Sequence, residues 1–134
     1  MEASSDSAAF QRVWELYARG RGTEILDHLD PDVEWHPAVL DPAEYRGHAA
    51  VRRWASGMRR AWKSVTLVLE ELREVEGCVL ARGRLAAYDH AGEQAIDTAL
   101  ACVAEFRRGL VVRARSFVSL DDALAWISAR PALP

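Results

Sequence analysis

In the first half of the chain, apolar residues recur every three or four positions, which is the period of an α-helix. The pattern predicts a first helix over 10–18, a short second helix over 25–29 and a third, strongly amphipathic helix over 51–62. Gly20 would end the first helix, because glycine readily adopts the left-handed conformation found at helix ends. Pro31 cannot continue the second helix.

Strand-like runs replace this pattern after residue 64. They cover residues 65–75, 78–88, 95–106 and 110–118. The connections between them are short and contain Gly77, Gly92 and Gly109, and such connections are typical of hairpins. The second half of the chain therefore predicts an antiparallel meander of four strands.

The remaining segments complete the plan of a single domain. Residues 32–35 predict a brief strand, and Asp121 would cap a last helix whose inner stripe includes Leu124 and Ile127. Helices and one strand followed by a meander are an α+β order. We expect one domain over residues 10–130, a disordered or loosely ordered segment over 1–9 and a tail over 131–134.

Composition and charge narrow the class of protein. The chain has 134 residues, of which 50% are hydrophobic and 28% charged, as expected of one globular domain. A net charge of −3 argues against nucleic acid or an anionic membrane as a partner. No apolar run approaches the roughly 20 residues that span a bilayer, and residues 1–7 do not resemble a signal peptide. Cys78 and Cys102 lack metal-ligand spacing and lie in apolar, strand-like runs, where we expect buried, reduced thiols. We therefore expect a cytoplasmic protein, without metal or cofactor.

Four short motifs give the chain a recognisable character. They are Pro-Asp-Val-Glu-Trp at 31–35, Tyr-Arg-Gly-His at 45–48, Val-Arg-Arg-Trp at 51–54 and the arginine-rich strand at 108–115. With these motifs, the chain resembles NTF2-like domains of the SnoaL-like kind over nearly its whole length. The resemblance implies a cone in which N-terminal helices pack on a strongly curved antiparallel sheet and enclose a pocket for a small molecule.

The superfamily contains several chemistries, so the resemblance does not define one. Ketosteroid isomerases use a carboxylate base at the end of the first strand, where this chain has Pro37 or His36, depending on the alignment. Their late-strand acid position falls at Cys102, and Tyr17 lies about a turn from the position of the family's tyrosine. The isomerase set is therefore incomplete. Polyketide cyclases use a late-strand aspartate, and Asp97 is the acid that could take that part.

Three residues are candidates for acid/base chemistry: His36, Asp97 and Arg115. An imidazole titrates near neutrality and can move a proton. Strand alternation, however, puts His36 opposite Trp35, so His36 reaches the pocket only if the strand bends before Pro37. Asp97 would act as an acid if apolar neighbours raised its pKa. Arg115 would stabilise negative charge, unless it is an ordinary arginine paired with acids.

Apolar stripes supply the predicted pocket lining. Large aromatic residues mostly build cores, and they also form the walls of ligand sites. The predicted lining consists of Trp14, Tyr17, Trp35, Trp54, Met58, Trp62, Cys102 and Phe117. Cys102 is expected to pack rather than react, because the sequence supplies no base to form its thiolate. Trp126 is expected to dock the last helix.

The strand predicted over residues 95–106 suggests an assembly of subunits. Ala99, Ala101 and Val103 alternate with Leu100 and Cys102, so the strand is apolar on both faces. Such a strand is covered on both faces. One face belongs to the pocket and core, and we expect a second subunit of a homodimer to cover the other.

These observations predict a domain that binds a small, largely apolar organic molecule. Two functions stay open at this point. One is a cofactor-independent acid/base enzyme, such as an isomerase, cyclase, dehydratase or hydrolase, with a ketosteroid isomerase-like or polyketide cyclase-like reaction. The other is a non-catalytic ligand-binding or structural dimeric protein.

Overall fold

The apolar stripes of the N-terminal helices close over one face of a bent sheet. We analysed a computed structural model of the chain, in which residues 5–133 are described. The helices are α1 Ser5–Ala18, α2 His48–Ala61 and α3 Leu120–Ala129, with a 3₁₀ helix at Gly22–His28. The strands are β1 Leu29–His36, β2 Tyr45–Arg46, β3 Ser64–Val75, β4 Cys78–Tyr88, β5 Gln94–Arg107 and β6 Leu110–Phe117.

The six strands form one sheet in the order β2-β1-β6-β5-β4-β3. The predicted α+β class and the β3–β6 meander are confirmed. The sheet is mixed rather than purely antiparallel, because β1 pairs in parallel with β6 while the other neighbours are antiparallel. This parallel pairing brings the start of the chain to the end of the meander.

Several element boundaries differ from the prediction. Helix α1 begins at Ser5, within the segment expected to be loosely ordered; residues 1–4 and 134 lie outside the described residues. Leu29 opens β1 instead of ending a helix, because its side chain is buried in the core. The cap of α3 is Ser119, whose hydroxyl accepts a hydrogen bond from the Asp122 N–H, and not Asp121.

Register shifts bend the sheet. The pairing of β3 with β4 shifts between Leu69 and Glu71, and such bulges increase local bend and twist. Gly83 lies opposite this bulge, where a Cβ atom would stand 1.8 Å from the Val68 carbonyl oxygen. Only a glycine allows the two backbones to approach this closely.

A second register shift changes which face the side chains of β6 occupy. Phe106 pairs with Val111, whereas Glu105 pairs with Arg113, so one extra residue lies in β6. Val111 and Ala114 therefore both belong to the core under α1 and α2. Arg113 turns to the opposite face and forms a buried ion pair with Glu105, with Nη2–Oε2 at 3.1 Å.

The outer face of the sheet is partly covered from within the chain. Helix α3 packs Ala123 and Ile127 on Leu80, Ala101 and Val103. Where α3 packs, it supplies the cover that was expected from a second subunit. Helix α3 comes directly after the meander in the chain, so it can fold back and cover this face itself.

We expect Gly83→Ala to destabilise the fold, because the added methyl would clash with the backbone of β3. The free energy of unfolding should fall by about 1–3 kcal/mol, as for other overpacking substitutions. Gly57→Ala is the matched control: it lies within α2 with nothing within 4 Å of its Cβ position. That change should raise the free energy by about 0.5–1 kcal/mol. Urea unfolding measures both, and a Gly83→Ala protein as stable as the parent would contradict this account.

Candidate ligand-binding site

A cavity of about 90 Å³ lies between α1, α2 and the inner face of the sheet. It opens to the surface, and its lining is almost entirely apolar and aromatic. Six residues predicted for the pocket border it: Trp14, Tyr17, Trp35, Trp54, Met58 and Cys102. Among the lining residues that the sequence did not predict are Val39, Leu40 and Ser116. The first two come from a loop without periodicity, and Ser116 faces inward because of the bulge in β6.

Stacked aromatic rings form one wall of the cavity. Tyr17 of α1 lies parallel to Trp54 of α2, with ring centroids 5.1 Å apart and an interplanar angle of 14°. The ring of Trp35 in β1 is tilted against the ring of Trp54, and their centroids lie 5.3 Å apart. Offset and tilted aromatic contacts of this kind are favourable beyond the area they bury. The wall is therefore a broad, well-packed apolar surface.

Two polar side chains of the lining, Tyr17 and Cys102, are neutral donors. Burial raises the pKa of Tyr17 to about 12, so its phenol stays protonated at neutral pH. Burial also raises the pKa of Cys102 to about 11, and its Sγ lies 3.2 Å from the Ser116 hydroxyl. A thiol held protonated in this way is a poor nucleophile.

Three tryptophans of the cavity region keep buried indole N–H groups without a hydrogen-bond partner. They are Trp14, Trp35 and Trp54, and each Nε1 is fully buried. Most buried donors in proteins are paired, so an unpaired one is unusual and costs free energy. An acceptor-bearing molecule that displaced a neighbouring side chain would satisfy such a donor.

Asp97 lies outside the cavity. Its carboxylate is exposed and accepts a hydrogen bond from Arg84 Nη2 at 2.8 Å. This hydrogen bond and the charge of Arg84 lower the pKa of Asp97, so the condition for its role as an acid, a raised pKa, is not met. Strand alternation explains the difference, because Leu100 faces the cavity and Asp97 faces away from it.

His36 and Arg115 border the cavity, but at its rim. They are register partners, as are the neighbouring Trp35 and Ala114. Since Trp35 and Ala114 belong to the inner core, alternation turns His36 and Arg115 away from the centre of the inner face, so they reach the cavity only at its edge. The Arg115 guanidinium carbon lies 5.7 Å from the ring of Phe117.

Two predicted lining residues lie elsewhere. Phe117 packs against Trp126 of α3 at a centroid distance of 6.2 Å, on the outer face of the sheet. Its place follows from the bulge in β6, which turns Arg113, Arg115 and Phe117 outward together. Trp62 borders a second cavity instead of the first.

His36 carries an imidazole in a mixed environment. Its Nδ1 lies 3.4 Å from Glu44 Oε1. Burial lowers the pKa of His36 most strongly; the carboxylate of Glu44 opposes this, and the charge of Arg115 adds to it. The net direction is downward, so the ring is neutral near pH 7.

Within residues 5–133, no three metal-binding side chains lie close enough together to hold an ion. None of the helices in this part of the chain combines the length and the apolar character needed to cross a membrane. The site is built from aromatic walls and neutral donors, with a histidine and an arginine at its rim.

The fold and cavity define an NTF2-like protein, and comparisons with known proteins agree. The family model for the SnoaL-like domain matches residues 10–114, so the chain belongs to this family. No curated protein matches the sequence.

Solved structures share the fold at low sequence identity. TerC, co-crystallised with polyporic acid, is 20% identical with a TM-score of 0.75, over 93% of this chain and 99% of that one. An NTF2-like protein of unknown function from Burkholderia pseudomallei is 20% identical with a TM-score of 0.76, over 94% and 99%. A candidate SnoaL-like polyketide cyclase from Jannaschia sp. CCS1 is 14% identical with a TM-score of 0.72, over 98% and 99%. At these identities the likeness shows the fold alone.

We expect His36 to titrate below 6.5, because burial penalises the imidazolium ion. Glu44→Gln should lower the pKa further by removing a carboxylate, whereas Arg115→Gln should raise it by removing a cation. Since the folded pKa is the lower one, the contribution of His36 to stability is complete above 6.5 and declines as pH falls beneath it. NMR titration of the ring protons measures each value. Arg52→Gln, exposed on α2, is the control, and equal pKa values in all variants would contradict this geometry.

Proposed function

We propose that this protein binds a small, largely apolar organic molecule whose ring enters the cavity beneath the aromatic wall. The observation that carries the proposal is the opening of a 90 Å³ cavity onto the stacked rings of Tyr17 and Trp54. Concave, mostly apolar sites with a few polar groups are the usual form of small-molecule sites. TerC was co-crystallised with an organic acid, which supports an organic ligand for this fold.

The size of the cavity limits the buried part of the ligand. An engineered apolar cavity of about 150 Å³ in another protein holds benzene, and this cavity is smaller but open on one side. A single ring is therefore the largest group that enters without side-chain movement, and the rest of the ligand extends through the opening.

The polar lining favours a ligand with hydrogen-bond acceptors. Tyr17, Cys102 and Ser116 offer protonated O–H and S–H groups, and no carboxylate among the described residues borders the cavity. An apolar ring that bears a carbonyl oxygen fits this lining better than an amine or another cation.

The catalytic form of this function has one specific observation in its favour. The neutral His36 imidazole lies at the rim, with Arg115 as its register partner. In that form, His36 accepts a proton from a bound substrate and Arg115 stabilises the negative charge that develops. Asp97 has no part in it, since its carboxylate is exposed and paired. Binding without catalysis is the better-supported form, because no carboxylate among the described residues borders the cavity to serve as a second acid or base beside His36.

The protein also forms a homodimer in this proposal. Helix α3 leaves part of the outer sheet face uncovered, including Ala99 and Val68, whose side chain is 53% exposed. A second copy packed there would remove these apolar groups from water. The two free cysteines, Cys78 and Cys102, suit the reducing cytoplasm.

Acetophenone, a ring with one carbonyl group, serves as a probe for the site. Titration should shift the indole N–H resonances of Trp14, Trp35 and Trp54 in a nitrogen–proton correlation spectrum, and leave that of Trp126 in place. Ala114→Val narrows the cavity and should weaken binding about tenfold or more, which corresponds to about 1.4 kcal/mol. Ala99→Val, exposed on β5, is the matched control. Absence of saturable binding, or equal weakening by both changes, would show that the ligand does not occupy this cavity.

Light scattering tests the dimer. The expected mass at micromolar concentration is twice the 14.9 kDa of one chain. Val68→Arg should shift the protein to monomer by placing a charge in the interface. Val118→Arg changes an equally exposed valine, 54% exposed and outside β3, and should leave the dimer intact. A parent protein with the mass of one chain would contradict the proposed dimer, but it would not contradict the proposed ligand site.

A further inference from the structure

A second, larger cavity adjoins the first. It has a volume of about 380 Å³ and lies between the end of α1, the second half of α2 and the start of β3. Trp62, the residue predicted for the first pocket, borders this one together with Arg59, Lys63 and Ser64. Its size is several times that of the first cavity, and it too opens to the surface.

Two side chains border both cavities, Tyr17 and Met58. They form a partition between them. Tyr17 is fixed by its stacking on Trp54. Met58 is unbranched, and methionine side chains adapt readily to a changed shape. A rotamer change at Met58 would therefore join the two spaces.

A glycine keeps the second cavity open next to this partition. Gly22 borders the cavity, and a Cβ atom there would stand 3.3 Å from the Ala55 Cβ and 3.6 Å from the Tyr17 ring. Any side chain at this position would fill the space beside Tyr17. The open space on this side of the partition depends on this absence.

The second cavity is positively charged. Arg59 and Lys63 border it, and neither forms an ion pair within the described residues. No aspartate or glutamate in this part of the chain borders it. The first cavity is bordered by one cation, Arg115, whose guanidinium stacks over Phe117 and whose Nε is buried without a hydrogen-bond partner. The second cavity offers two cations, so an anionic group that reaches it finds more counter-charge there than in the first.

We infer that one ligand occupies both cavities: an aromatic carboxylate whose ring lies in the first cavity and whose carboxylate pairs with Lys63 and Arg59 in the second. This inference rests on the proposed function, which supplies the ring site. The ligand is elongated, because Tyr17 and Met58 separate its two ends. A flexible chain between ring and carboxylate passes beside Met58.

A series of phenylalkanoates of increasing chain length tests the inference, with the corresponding alcohols as uncharged controls. Calorimetry at low salt should show a carboxylate preference of about threefold to tenfold once the chain is long enough, as expected of partly exposed ion pairs. Lys63→Gln combined with Arg59→Gln should abolish this preference and leave acetophenone affinity unchanged. Arg52→Gln combined with Arg60→Gln removes the same charge from exposed positions of α2 outside both cavities, and should keep the preference.

The outcomes separate the inference from the proposed function. If acetophenone does not bind, the ring site and the proposed function are wrong. If acetophenone binds and the carboxylates show no preference over the alcohols, or keep it without Lys63 and Arg59, the inference is overturned alone. It is also overturned if a bound long-chain carboxylate does not compete with acetophenone, because two independent sites would then exist.

Discussion

The bend of the sheet is the constraint on which the rest of this structure depends. The register shift between Leu69 and Glu71 turns β3, and the absent side chain at Gly83 lets the two backbones come together at that point. A sheet bent in this way has a concave face that α1 and α2 can cover only in part. The cavity is the space that remains, so its existence follows from backbone geometry and its character from the side chains around it.

The bulge in β6 decides how charge is distributed about that space. One extra residue between the pairs Phe106–Val111 and Glu105–Arg113 sends the arginines of this strand outward. There Arg113 is neutralised by Glu105 in a buried ion pair, to which Arg130 adds a second cation at 3.4 Å. Removing one partner from such a pair is costly, so the arrangement is fixed. The interior is left with neutral donors and aromatic rings, which suits an uncharged group.

The sequence patterns were sufficient for the helices and the meander, because these depend on periodicity and on turn residues that act locally. The fold family came from the resemblance carried by the four short motifs. The faces of β6 could not be read in the same way. Strict alternation assigns Val111, Arg113 and Phe117 to one side, and nothing local in the sequence marks the bulge that separates them. The ion pair of Asp97 with Arg84 and the cover that α3 gives Val103 depend on contacts between distant segments. Strand β2, with two residues, is too short to show a period.

The aromatic wall also has an optical consequence. The rings of Tyr17, Trp54 and Trp35 stand 5.1 and 5.3 Å apart at defined angles, held by two helices and a strand. Transition dipoles at such separations couple, and a coupled asymmetric pair absorbs left and right circularly polarised light unequally. The lining of the cavity therefore contributes to the near-ultraviolet circular dichroism of this protein. A guest that tilts one ring would alter that band, and the protein would report its own occupancy without a label.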